Sequence, residues 1–421
     1  MGDISRSVYM NLRNYPRVAD RRVALEKELQ VELNHIGSFT LDEAAAGTRN
    51  CENMIGAAQV PIGVAGPLRI KQQNYYIPLA TTEGALVASV NRGCKAIGES
   101  GGASVDSYRV GATRGPVFKV ANLAQNDALN GFLESHFEEL QKLAKKTSHH
   151  LTLTKYFSRG LGRHRFVRFV FDTQDAMGMN MATIATSKMI QIIETKTGAR
   201  CVSVAGNYDV DKKPSWLNVI EGRGIKAWAE VTLPAEVLQN TLKTSAPKMY
   251  ETWLAKCMIG SAMSGSMGFN AHFANVIAAI FLATGQDLGH VGEGSCGITT
   301  AEIIQYTPGV NLAHTGGVQE ESLYISVYLP DLMVGTVGGG TELATQKEAL
   351  SILGIDGGNN GKNAQKFAEI IAGAVLAGEI SLLASEAEGS LAEAHQKLAR
   401  GKIKSTNDKS TNNQMNDKIF K

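Results

Sequence analysis

Between residues 116 and 205 the spacing of apolar residues switches repeatedly between strand and helix periods, and few folds satisfy the resulting order. Residues 116–120 read as a short strand. Residues 124–146 carry Leu129, Phe132, Leu133, Phe137, Leu140 and Leu143 three or four apart, the spacing of one buried helix face. Residues 151–158 and 166–171 read as strands, with Gly160-Leu161-Gly162 between them as a hairpin signal. Residues 179–197 return to helical spacing, closed by Gly198, and 201–205 form a last strand. The order β-α-β-β-α-β is that of a split βαβ, or ferredoxin-like, unit.

This unit interrupts a chain of 421 residues, long enough for two or three domains at roughly 150 residues each. Residues 1–45 read as an N-terminal helical segment, amphipathic over 21–45. Residues 46–115 are the first part of a large domain, 116–205 the inserted small domain, and 206–402 the second part of the large one. Two Ala- and Gly-rich helices are expected in that second part, over 261–285 and 364–400. Residues 403–421 are polar, low in complexity and read as a disordered tail. The fold class is α+β, with a large mixed α/β domain and the inserted small one.

Composition excludes several classes. Lys plus Arg (42) nearly balances Asp plus Glu (40), which argues against a general nucleic-acid binder. The apolar runs around Val276 and Ile370 are shorter than a membrane span and end at polar residues, among them Asp287 and Glu379. Charge within the first six residues argues against a signal peptide. The five cysteines have no ligand or disulfide spacing and read as reduced thiols of a cytoplasmic protein. The nine histidines are dispersed, so no metal site is expected.

Four polar groups stand in apolar or Gly-rich surroundings. Glu83 follows Ala80-Thr81-Thr82, and a carboxylate there is either exposed or in need of a partner. Lys212 and Lys213, between Asp211 and Pro214, form either a solvated turn or a fixed cationic one. Asp287, read at the end of the 261–285 helix, opposes the helix dipole and calls for a cation. His395 sits on a helix, where a lone histidine is usually unremarkable. Asp175-Ala176-Met177-Gly178-Met179-Asn180 opens a helix whose N–H groups could meet an anionic ligand, although its spacing is no dinucleotide fingerprint.

Together these motifs resemble the catalytic portion of the 3-hydroxy-3-methylglutaryl-coenzyme A reductases, in the class shared by eukaryotes and archaea. Matching segments include Glu52-Asn53-Met54-Ile55-Gly56, Val64-Ala65-Gly66-Pro67-Leu68, Thr113-Arg114-Gly115-Pro116, Gly260-Ser261-Ala262-Met263, Gly285-Gln286-Asp287 and the glycines 338–340. The resemblance runs from about residue 45 to 400. It implies a large domain built round a central helix. It also implies reduction of 3-hydroxy-3-methylglutaryl-coenzyme A (HMG-CoA) by two NADPH to mevalonate and coenzyme A, through mevaldyl-CoA and mevaldehyde. Two alternatives remain: oxidative, NAD-dependent mevalonate degradation, and a non-catalytic acyl-CoA-binding module.

By resemblance, Lys212 faces the developing oxyanion, Asp287 holds it charged, Glu83 supplies a proton with its pKa raised by Asp287, and His395 protonates the leaving thiolate. Substrate contacts fall on Arg114, Asp211, Lys213, Lys256 and Asn275. Coenzyme A contacts fall on Glu52, Ser89, Asn91, Arg92, Lys95 and His272. Cofactor contacts fall on Ser148, His149, Asp175, Met177, Gly178, Met179, Asn180, Gly338 and Gly339. The family's site lies between subunits, which implies a homodimer or homotetramer without membrane or nucleic-acid partners. Three positions depart from the family pattern. Ala205 stands for a substrate-touching serine, His149 for an arginine at the cofactor's 2′-phosphate, and Gly401 for the regulatory serine of animal members.

His395 separates two steps of this implied reaction. A thiolate whose conjugate acid has a pKa of ~8.5 leaves more readily with a proton supplied, and general acids typically contribute about 10²–10⁴-fold. His395→Gln is therefore expected to cut thioester reduction sharply while sparing reduction of free mevaldehyde, read as NADPH oxidation with each substrate. Equal losses in both would remove the thiolate role.

Overall fold

The computed structural model describes residues 11–305 and 321–389. The chain enters through α1 (Val18–Leu29) and α2 (Glu43–Arg49). The entry segment is thus two helices rather than one. Gln30 ends α1 in the left-handed region (φ +54), and the Asp42 carboxylate caps α2 by accepting the Ala44 and Ala45 N–H groups. An antiparallel ribbon follows, β1 (Ile62–Ile70) and β2 (Gln73–Ala80), packed on α3 (Leu86–Glu99). Then comes β3 (Ser104–Arg114), the strand that joins the two halves of the main sheet.

The middle of the chain forms β4 (Val117–Lys119), α4 (Leu123–Ser135), α5 (Phe137–Thr147), β5 (Thr152–Leu161), β6 (His164–Asp172), α6 (Met179–Thr197) and β7 (Arg200–Ser203). Its strands lie antiparallel in the order β7-β4-β6-β5, which is the split βαβ arrangement, over a core that includes Phe118, Leu133, Phe169 and Met189. The one helix expected over 124–146 breaks at His136 (φ −117, ψ 18). The apolar period carries across that residue, so periodicity alone could not show the break. The hairpin turn falls at residues 162–163 rather than at 160–162, because Leu161 already pairs with His164 and Gly162 takes the positive φ.

The second half contains α7 (Trp216–Glu221), β8 (Arg223–Leu233), α8 (Ala235–Asn240) and α9 (Ala246–Trp253). A wide-turn stretch, Leu254–Gly260, leads from there to α10 (Ser261–Ser264). Next come α11 (Phe273–Thr284), α12 (Val291–Gly294), β9 (Ile298–Ile304), β10 (Ser322–Leu332), α13 (Ala344–Ile352) and α14 (Lys362–Glu388). β3 pairs with β8 over residues 104–111 and with β6 over 112–114, so one eight-stranded sheet runs through both parts of the molecule. Arg114 ends β3 at the join. The helix expected over 261–285 is interrupted: Gly265 (φ +68) ends α10, and α11 starts only at Phe273.

At the centre lies α14, packed against α3, α9, α11 and the sheet. Among the described residues it is the one helix long and apolar enough to cross a membrane, and 89% of that apolar window is buried within the fold. The sequence reading ended the apolar run at Glu379. Glu379 lies inside the helix, as the 364–400 expectation had it, but fully buried, where its carboxylate accepts Ala271 N–H, His272 N–H and the Thr299 hydroxyl. The part of the expected 364–400 helix beyond 389, His395, Gly401 and the polar tail lie outside the described residues.

Small residues let α14 and α3 approach to backbone contact. A Cβ built on Gly93 would sit 1.9 Å from the Ala377 carbonyl oxygen, whereas one on Gly98, in the same helix, meets nothing within 4 Å. Gly93→Ala should therefore destabilise the protein by about 1–3 kcal/mol through overpacking. Gly98→Ala should be neutral or stabilising by up to about 1 kcal/mol. Thermal unfolding of the two variants side by side checks this; equal midpoints would contradict the packing account.

Candidate active site

The loop between β7 and α7 carries three non-glycine residues in left-handed backbone, Asn207 (φ +61), Val210 (φ +52) and Lys212 (φ +58). Such backbone costs of order 1–3 kcal/mol per residue and persists only where surrounding contacts hold it. Here Thr113 Oγ1 donates to Asp209 O at 2.8 Å, Asn218 Nδ2 donates to Val210 O at 3.2 Å, and the Lys212 N–H donates to Glu293 Oε2 at 2.9 Å. The Lys212 ammonium then lies 2.7 Å from Asp287 Oδ2.

Asp287 is not the last residue of a helix, as the sequence reading had it. Gly285 caps α11 in left-handed backbone (φ +71), and Asp287 starts the next turn, its Oδ1 accepting the Gly289 N–H at 2.9 Å. The carboxylate thus favours the local dipole instead of opposing it. Burial is the largest influence on this carboxyl and pushes its pKa up. The Lys212 hydrogen bond, the Gly289 amide, His290 and the Lys212 charge together outweigh it, so the pKa is lowered.

Beneath the pair is a buried charged network. Arg223, fully buried, reaches Glu293, Asp211 Oδ1 at 2.9 Å and the Thr113 hydroxyl at 2.7 Å. Arg114 lies 3.3 Å from Asp209 Oδ2 and 3.5 Å from Asp211 Oδ2. Burial raises the Asp209 pKa against the pull of Arg114 and Arg223. Asp331, completely buried, is held well above the carboxylate range, first by burial and then by Glu293. Asp211, His290 and Glu293 have the side-chain types and spacing to hold a metal ion. Arg223, however, already bridges Asp211 and Glu293 as the local cation.

Two Gly-rich loops complete the cavity. Gly285 meets the Gly340 backbone so closely that a Cβ would lie 2.3 Å from the Gly340 oxygen, and Ala176 bridges Val337. The resulting cavity, about 780 Å³, is lined by Arg114, Asp211, Lys212 and Asp287 on one side. On the other are Met177, Gly178, Met179 and Asn180 at the start of α6, with Gly338 and Gly339 beside them. The first amides of α6 lack intrahelical partners, which suits an anionic ligand.

Several expected residues lie elsewhere. The Asp175 carboxylate is buried at the start of α14, accepting N–H groups of Asn359, Gly361 (2.7 Å) and Ala364 (3.0 Å), and so caps the central helix. Lys256 pairs with Glu386 at 2.7 Å, and with His272 it lines a second cavity of about 600 Å³ beyond Pro214. Ser89 and Arg92 project from α3 onto Ser381 of α14, Arg92 also onto Ser385; Asn91 accepts the Gly66 N–H at 3.0 Å. Lys95 pairs with Glu99, Lys213 donates to Asn207, and Asn275 stands in the first turn of α11. Ser148 and His149 follow α5, where the Lys145 ammonium donates to the His149 carbonyl at 2.8 Å. Glu52 and Glu83 are exposed and line neither cavity.

The sequence reading missed Arg223, His290 and Glu293. The Asp287-x-x-His290-x-x-Glu293 spacing was visible, as was an arginine between Gly222 and Gly224. Nothing local showed that these residues would be buried together.

The hydroxymethylglutaryl-coenzyme A reductase family model matches residues 17–400. The 3-hydroxy-3-methylglutaryl-coenzyme A reductase of Methanocaldococcus jannaschii is 48% identical over 390 residues, covering 90% of this chain and 92% of that protein. That of Methanothermobacter thermautotrophicus is 45% identical over 386 residues, covering 90% and 93%. Among solved structures, the class II 3-hydroxy-3-methylglutaryl-CoA reductase of Streptococcus pneumoniae bound to NADPH superposes with a TM-score of 0.63. At 17% identity, covering 89% of this chain and 99% of that one, this likeness concerns the fold.

The lowered Asp287 pKa carries a sign. A carboxyl whose folded pKa lies below its unfolded value of ~3.9 adds stability above that value, and loses it as pH falls through the folded pKa. The Lys212–Asp287 pair is therefore intact at neutral and mildly acidic pH. Lys212→Met should raise the Asp287 pKa relative to the parent, read by ¹³C carboxyl NMR titration. An unchanged titration would mean that Gly289 and His290 alone set it.

Proposed function

The chain belongs to the hydroxymethylglutaryl-coenzyme A reductase family, and from that premise we propose that it reduces HMG-CoA to mevalonate and coenzyme A with two NADPH. The observation that carries the reading is the Lys212–Asp287 pair, 2.7 Å apart, in the wall of a cavity that also contains the start of α6. The lining fits a dinucleotide. Met179 and Asn180 open α6, whose first amides have no intrahelical partner, and Gly338 and Gly339 leave open space where a side chain would stand. NADPH supplies the hydride for each of the two reductions.

The protein's part is electrostatic. The Lys212 ammonium faces the oxygen on which charge develops, and Asp287 keeps that ammonium charged and directed. Arg114 and Asp211, tied together at 3.5 Å, hold the substrate's polar groups beside it, and Lys213, Lys256 and Asn275, outside that cavity in this chain, complete the substrate contacts by family resemblance. Ser89, Asn91, Arg92, Lys95, His272 and Glu52 serve coenzyme A. The unit at 116–205 is the cofactor-binding domain, with Ser148, His149 and Lys145 near the 2′-phosphate. Asp175 acts from behind, by fixing the loop before α14.

Glu83 supplies the proton to the carbonyl oxygen and His395 the proton to the thiolate. Glu83 lies outside the cavity of its own chain, and Met263 of α10 and Ile259 just before it expose 83% and 55% of their surfaces. These features support a homodimer or homotetramer with sites shared between subunits. The five free cysteines accord with a cytoplasmic setting.

A turnover assay with both cofactors tests the reading. A 2′-phosphate near two or three cations gains charge-assisted hydrogen bonds of ~1.5–3 kcal/mol each before desolvation. NADPH should therefore be preferred over NADH by at least about tenfold in kcat/KM, which needs only ~1.4 kcal/mol. Equal or better use of NADH would favour the oxidative alternative, and no turnover with either would favour a non-catalytic module.

A further inference from the structure

We infer that Glu293 and His290 are positioning residues that set the geometry of the Lys212–Asp287 pair; the inference rests on the reductase reading above. The Glu293 carboxylate is almost fully buried and holds three groups drawn from separate segments. Its Oε2 accepts the Lys212 N–H at 2.9 Å, and its Oε1 accepts from Arg223 Nη1 and from His290 Nδ1. The first bond fixes the left-handed backbone of Lys212, and with it the direction in which the ammonium leaves the loop. Arg223 also pairs with Glu293, and the contact of Glu293 Oε1 with His290 Nδ1 fixes the ring.

The other nitrogen of His290 is the telling one. The residue is fully buried, and Nε2 has no hydrogen-bond partner. It points at Asp287 Oδ2 at 3.7 Å and Asp211 Oδ1 at 3.9 Å, just beyond bonding distance. A buried polar nitrogen left in this state is uncommon. It becomes intelligible if Asp287 has two partners. While Lys212 lies against Asp287, the carboxylate is satisfied by the ammonium. When the ammonium turns to the developing oxyanion, a shift of about 1 Å brings Asp287 within ~3 Å of Nε2, which donates to it when the ring carries a proton on each nitrogen. The groups facing the imidazole are Glu293, Arg223, Asp211 and Asp287, and Lys212 reaches it only through the last.

His290→Gln leaves the Arg223–Glu293 pair intact and removes the nitrogen facing Asp287. In the whole 421-residue chain it should lower kcat about tenfold or more, the scale of losses when a group orienting a reacting residue is removed, with both KM values within about twofold. Mevaldehyde reduction should fall in parallel, because both reductions use the Lys212–Asp287 pair. Parental kcat, a loss confined to KM, or a loss matching the unfolded fraction by circular dichroism would each overturn the proposal. A second measurement needs no turnover. In ¹⁵N NMR of the parent, His290 Nδ1 should carry a proton, and Nε2 should shift to the protonated position in Lys212→Ala, where Asp287 has lost its ammonium. An unprotonated Nδ1 or an unmoved Nε2 overturns the proposal. A parent that turns over neither cofactor would instead defeat the reductase reading, and the NMR result would still decide this one.

Discussion

The site depends on one buried guanidinium. Arg223 opens β8 with no solvent exposure, and its charge is balanced by Glu293 and Asp211, with Asp331 and Asp209 nearby. Burial alone would lower its pKa, but those carboxylates raise it instead. Removing one partner of such a buried pair typically costs about 3–5 kcal/mol, because the other charge is left uncompensated. The same contacts bind β8 to β3 through Thr113, to the 207–213 loop through Asp211, and to α12 through Glu293. A loop with three left-handed non-glycine residues is thereby held in one shape, and Lys212 is presented from it.

Around this network the sheet and the central helix set the larger distances. β3 belongs to both parts of the sheet, so Arg114 at its end stands between the small unit and the 207–213 loop. α14 is held at its start by the Asp175 carboxylate and along its length by close approaches at Gly93. Glu379, buried inside it, secures the amides at the start of α11. Since α11 leads directly to Gly285 and Asp287, the position of the central helix is passed on to the Lys212–Asp287 pair.

Much of this was legible in the chain. The split βαβ order followed from local period changes, and α6 was bounded at both ends by a glycine, Gly178 and Gly198, each in left-handed backbone. Where the sequence reading went astray, the missing information was not local. The His136 break hides inside a continuous apolar period. In the interruption between α10 and α11, a carboxylate more than 100 residues away, Glu379, captures two backbone amides. Glu379 itself looked like the end of an apolar run, because a buried charge is recognisable only once its partners are known.

By itself, the sequence determined the family motifs, the order of elements in the small unit, and four candidate residues, Glu83, Lys212, Asp287 and His395. These are properties of neighbouring residues: period, glycine placement and charge in apolar surroundings. Only the tertiary structure decided what those residues face. Lys212 bonds to Glu293 across 81 positions, Arg223 to Glu293 across 70 and to Thr113 across 110. No local propensity encodes such separations. Burial fixes them, since charges withdrawn from water in the same interior must find one another there.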